Sequence, residues 1–107
     1  MIIDGREVVW SEVFLTSVAD IQQYISEYNP VRGRTFSSEI LDYTLELIAP
    51  NPFAFAKFDH PKYQTMPYRR AVFQRNHIVL YRVEDARLTF LDVYHTSRNI
   101  DGIVPEP

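Results

Sequence analysis

The chain has 107 residues, 46% hydrophobic and 14% aromatic, enough for one domain with its own core (residues 1–107) and too few for a second. A net charge of −3 and a pI near 5.5 argue against a generic nucleic-acid binder, which carries a basic surplus. With no cysteine there can be no disulfide, thiolate catalysis or Cys-based zinc site, and no apolar run approaches the length of a membrane span.

The start, MIIDGREVV, lacks the basic-then-apolar pattern of a secretory signal, so a cytoplasmic protein with no membrane partner is expected. Arg6 to Trp10 form a short β-type run, and Ser11 after it is a good helix N-cap. Phe14, Val18, Ile21, Ile25 and Tyr28 then recur at alternating gaps of four and three, one stripe of an amphipathic helix over about Ser11 to Tyr28. That stripe reads as core packing rather than as a groove for a partner.

Asn29-Pro30 stops this helix and opens the next, because proline fits a first turn where its missing N–H is no loss. Phe36, Ile40, Tyr43 and Leu47 share one side, widened by Leu41, Leu45 and Ile48. Gly33 weakens the first turn, so the stable helix is expected from about Arg34 to just before Pro50-Asn51-Pro52. The two helices form an antiparallel hairpin. From Pro50 to Pro67 the chain is irregular, and Phe53, Phe55, Phe58 and Tyr63 are expected to pin it to the core.

Three strand-like runs follow, Tyr68–Phe73, Ile78–Val83 and Leu88–Tyr94, joined by the polar turns Gln74-Arg75-Asn76-His77 and Glu84-Asp85-Ala86-Arg87. The order β-α-α-β-β-β predicts an α+β domain whose helical hairpin covers one face of a small antiparallel sheet and leaves the other open. Alternation groups Arg69, Ala71 and Phe73 with one another, and likewise Val79, Tyr81 and Val83. On the last run it sets Leu88, Phe90, Asp92 and Tyr94 against Thr89, Leu91, Val93 and His95. Register is not fixed by pattern, but arginines must stand on both faces.

Chemistry-bearing patterns are sparse. His60, His77 and His95 show no ligand spacing, so neither a metal site nor a cofactor is expected. Three glycines give no phosphate-cradling loop. Ser97, His95 and Asp92 supply the residue types of a hydrolase triad with no nucleophile elbow to support it. What stands out is charge placement: between Tyr68 and Arg98 lie Arg69, Arg70, Arg75, Arg82, Arg87 and Arg98, against Glu84, Asp85 and Asp92. The remaining acids lie mainly in the first half and the tail. A basic surface on an acidic body follows, with Arg69, Arg70 and Arg98 candidates to hold a phosphate or carboxylate.

The order of elements, VVWSEVF leading into the first helix, the Asn-Pro between helices and the series YRR…HIVLYRV…LTFLDVYHTSRN resemble the RelE/ParE superfamily of type II toxin–antitoxin toxins, over about Val8 to Asn99. The resemblance implies a toxin neutralised by a cognate antitoxin, in a toxin–antitoxin hetero-oligomer. In the RelE-like branch, members cleave mRNA on the ribosome with basic residues on the sheet and a tyrosine near the C-terminus. Arg69 and Arg98 fall where that branch keeps cations, and His95 is an available base. Ala71 and Ile78 occupy two other usually basic positions, and the tail NIDGIVPEP has no tyrosine. The ParE-like branch, which resembles this chain in His-x-x-Arg and inhibits DNA gyrase by binding, fits better. Arg69, Arg70, Arg82, His95 and Arg98 are then the target- or antitoxin-binding candidates, and Arg69, His95 and Arg98 the catalytic ones should the chain be a nuclease.

Overall fold

In the computed structural model, which describes residues 1–58 and 67–98, two helices lie on one face of a six-stranded sheet. In chain order the elements are β1 (Ile2–Ile3), β2 (Arg6–Trp10), α1 (Glu12–Tyr28), α2 (Pro30–Tyr43), β3 (Ala56–Lys57), β4 (Tyr68–Phe73), β5 (His77–Val83) and β6 (Arg87–His95). The strand order is β1-β2-β6-β5-β4-β3. None of the described helices is long and apolar enough to cross a membrane.

The helices begin as their caps dictate. Ser11 Oγ accepts the Phe14 amide at 3.0 Å, and Asn29 Oδ1 accepts the Arg32 amide at 3.1 Å with Pro30 in the first turn. The second helix therefore starts at Pro30, not near Arg34. Gly33 does not weaken it but allows close approach: a Cβ there would lie 1.9 Å from Ser26 Oγ and 2.8 Å from the Ser26 Cα. After Tyr43 the helix relaxes into a π turn over Thr44–Ile48, where the Ala49 amide reaches the Thr44 carbonyl at 2.9 Å. The extra residue rotates the face, so Thr44 and Ile48 are buried and Leu47 is left exposed.

The sheet is mixed rather than purely antiparallel. After both helices the chain runs through β3, β4 and β5 before β6 lies alongside β2 in the same direction, pairing Val8 with Leu88 and Trp10 with Phe90. Two short strands extend its edges. Asp4 and Gly5, both at positive φ, form a two-residue turn that folds β1 back on β2 with Ile3 opposite Arg6. Asp-Gly is itself a hairpin signal. On the far edge β3 pairs Lys57 with Arg69.

The helix-side core joins Phe14, Val18, Phe36 and Ile40 to Phe73, Val79, Tyr81, Leu88, Phe90 and Val93. Polar ties hold the layers in register. Trp10 Nε1 donates to the buried Thr44 Oγ1 at 3.1 Å, Tyr81 Oη to the Pro52 carbonyl at 2.6 Å, and Ser17 Oγ to Asp92 Oδ1 at 2.6 Å. Alternation along β6 breaks at a bulge. Tyr81 pairs with Phe90 while Leu80 pairs with Asp92, leaving Leu91 unmatched. Beyond it the faces exchange, so Val93 rather than Tyr94 joins the helix-side core. The opposite face is not a bare polar surface: Phe58, Tyr68, Ile78, Leu80, Leu91 and Tyr94 form a second buried apolar cluster there.

Candidate functional site

Register divides the five candidate residues among three places. Arg69 pairs with Tyr81 on the helix side, whereas Arg70 and Arg82 stand on the opposite face, beside Leu80 and Tyr68. His95 ends β6 opposite His77, and Arg98 follows in the turn. The Arg69 and His77 rows are four residues apart on β5, about 13 Å along the strand. Arg69, Arg70 and Arg98 therefore do not form one anion clamp.

Arg69 is committed to its surroundings. Its guanidinium donates to the Phe55 carbonyl at 2.7 Å and sits 5.0 Å from the centre of the Phe53 ring. Arg6 lies 5.2 Å from the same ring and donates through Nε to the Glu84 carbonyl at 2.9 Å. Phe53 is more than half exposed yet held between two cations. Of the loop aromatics, Phe58 is buried and Phe55 packs against Tyr43 with ring centres 6.3 Å apart. Tyr63 and His60 lie outside the described residues.

On the other face Arg82 pairs with Glu84 at 3.1 Å, while the Arg70 side chain makes no hydrogen bond or ion pair among the described residues. On β6 lie two hydroxyls that pattern reading had no means of finding, Thr89 opposite Arg82 and Tyr94 opposite Ile78. Thr89 Oγ1 and Tyr94 Oη are buried and have no hydrogen-bond partner among the described residues. Burial pushes the Tyr94 phenol above its usual range, while the nearby Arg70 charge pulls it back. This phenol is placed on its face by the bulge alone.

At the far end the His95 Nδ1 lies 2.7 Å from Ser97 Oγ and faces the Ser97 amide at 3.1 Å, closing the turn that carries Arg98. Asp92, the third member of the imagined triad, is turned away: its Oδ1 accepts from Ser17 Oγ and from the Val93 amide at 2.8 Å. No Asp92–His95–Ser97 relay exists. Arg98 is exposed, and its amide donates to the His95 carbonyl at 3.0 Å. Asn99, which follows it in the motif, is outside the described residues.

His77 was read as a turn residue but is the first residue of β5. Its ring meets His95 at 5.6 Å and Phe36 at 5.3 Å. Burial, aided by His95 and Arg32, holds its imidazole below the usual histidine range. A groove of about 660 Å³ opens here between α1 and the sheet end, with Ile21, Tyr24, Arg32, Asn76 and both histidines on its walls.

Two helices on one face of a six-stranded mixed sheet make this an α+β domain. The chain is similar to the crystal structure of YafQ from E. coli strain BL21(DE3), at 20% identity over 86% of this chain and 94% of that chain, with a TM-score of 0.51. No curated protein matches it. The family model described as the ParE toxin of the type II toxin–antitoxin system parDE matches residues 8–100. The chain belongs to that family, a group of toxins whose systems include a cognate antitoxin.

Proposed function

We infer that this chain is a toxin that inhibits its target by binding rather than by cleavage, with DNA gyrase the candidate target, and that a cognate antitoxin neutralises it. The observation that carries this reading is the face away from the helices. There, among the described residues, Arg70 makes no hydrogen bond or ion pair and two buried hydroxyls, Thr89 Oγ1 and Tyr94 Oη, have no partner, and leaving a buried polar group unpaired costs stability that a partner can restore. The dispersal of the candidates supports the same conclusion. Arg69 is already engaged by backbone carbonyls, and His95 by its own turn, so among the described residues these candidates do not gather into a compact set of cation, base and acid. An acidic antitoxin segment suits the arginine-bearing face, where charge complementarity speeds encounter.

Induction of the chain alone in a bacterial host tests the reading. Growth arrest with altered plasmid supercoiling and intact transcripts is expected. Transcripts cleaved during translation, at unchanged supercoiling, would replace it with the ribosome-dependent mRNA endonuclease, and Arg69, His95 and Arg98 would then be its catalytic candidates. Normal growth at confirmed soluble expression would leave an interaction module of the same fold.

A further inference from the structure

The three histidines have no ligand spacing in sequence, but strand register makes two of them direct partners. His77 and His95 face each other across β5 and β6. The Thr96 amide donates to the Asn76 carbonyl at 2.9 Å, which makes the neighbouring 77–95 position a non-hydrogen-bonded pair, where side chains approach most closely. The ring centres are 5.6 Å apart at 84°. Two imidazoles sharing one ion, with metal–nitrogen bonds of about 2.0–2.1 Å, place their ring centres roughly 5–6 Å apart. The separation of the ring centres is thus compatible with a chelate.

We propose that His77 and His95 form a two-histidine site for a divalent transition-metal ion of the zinc, copper or nickel type. Imidazole nitrogen without thiolate suits these ions. The His77 ring makes no hydrogen bond to a described residue, so both its nitrogens are available. For His95, Ser97 Oγ at 2.7 Å can accept from Nδ1–H, which leaves the Nε2 lone pair for the metal. The Ser97 amide competes for the same Nδ1, so an ion selects one tautomer and loosens that backbone contact.

The surrounding charges are mixed: the Arg32 guanidinium opposes a cation at His77, and the Asp20 and Glu39 carboxylates offset it. Asp20 lines the groove from α1, and Arg32 on α2 is paired with Glu39 at 3.0 Å. Among the described residues no third His, Cys, Asp or Glu completes a set. The remaining positions fall to water or a partner's side chain, which makes this an exchangeable site and not a structural one.

The test is calorimetric titration of the tag-free full chain with Zn²⁺ at pH 7.5. One ion per chain is expected, with affinity reduced about tenfold or more in His77→Asn and in His95→Asn, less in Ser97→Ala, and not in His60→Asn. Because His77→Asn can unfold the strand end, the wild type is also titrated with substoichiometric Cu²⁺ by NMR. The His77 and His95 ring resonances should broaden first and together. Undiminished Zn²⁺ affinity in both folded variants, broadening centred on His60, or no binding at millimolar Zn²⁺ would each overturn the proposal.

Discussion

The two faces of the sheet are built from the same three long strands and end up with opposite polar accounting. On the helix side each buried polar group has its partner: Trp10 with Thr44, Tyr81 with Pro52, Ser17 with Asp92. On the other side, the face of the second apolar cluster also carries Arg70, Arg82 and two hydroxyls that have no partner among the described residues. A satisfied face contributes stability and is closed to further interactions. An unsatisfied one lowers stability and keeps hydrogen-bonding capacity for a partner, which is what the proposed docking role needs.

The comparison breaks most visibly in the core that the helices cover. Phe90 touches Trp10, Phe14 and Tyr81, so Phe90→Ala should cost about 3–5 kcal/mol in denaturant unfolding. The contrast between faces is sharpest in a matched pair of tyrosines. Tyr81→Phe strands the Pro52 carbonyl and should destabilise by about 1–3 kcal/mol, whereas Tyr94→Phe removes a hydroxyl with no partner among the described residues and should be neutral or stabilising. Equal losses in urea melts would remove the distinction.

Gly33→Ala forces a methyl against the Ser26 backbone and should lose about 1–3 kcal/mol, read as a lower urea midpoint at unchanged slope. The smallest effect is that of pH. His77 is held below its ordinary value of 6.5, so the unfolded chain takes up the proton first. Stability is then fully present above pH 6.5 and declines as pH falls below it toward the folded-state value. In His77→Gln that decline in thermal midpoint should flatten.

Much of the fold was legible because helices and long strands carry their period over many residues. Phe14, Val18, Phe36 and Ile40 are buried as their spacing required, and Arg69, Ala71 and Phe73 share a face with Val79, Tyr81 and Val83. Errors fell where one residue breaks the period. The π turn exposed Leu47, and the unmatched Leu91 moved Val93 and Tyr94 to the faces opposite those expected. The two-residue strands β1 and β3 are too short to show alternation, although Asp4-Gly5 announced the first.

The candidate site was legible as a set of residue types and not as a place. The arginines were found by composition, but register separates Arg69 from Arg70 and Arg98. Phe53 gains its role only through Arg6 and Arg69, which reach it from two different strands. The pairing of His77 with His95 depends on strand register, which no local spacing encodes.

The central claim, that the arginines outside the helix-covered core dock the target, is tested most directly by growth after induction. Wild type is compared with the Arg70→Ala/Arg98→Ala double variant at equal soluble level. Both side chains make no hydrogen bond or ion pair among the described residues, so the thermal midpoint should stay near wild type. Arrest by the wild type, relieved in the folded double variant, is the predicted result. A double variant as toxic as the wild type would contradict it.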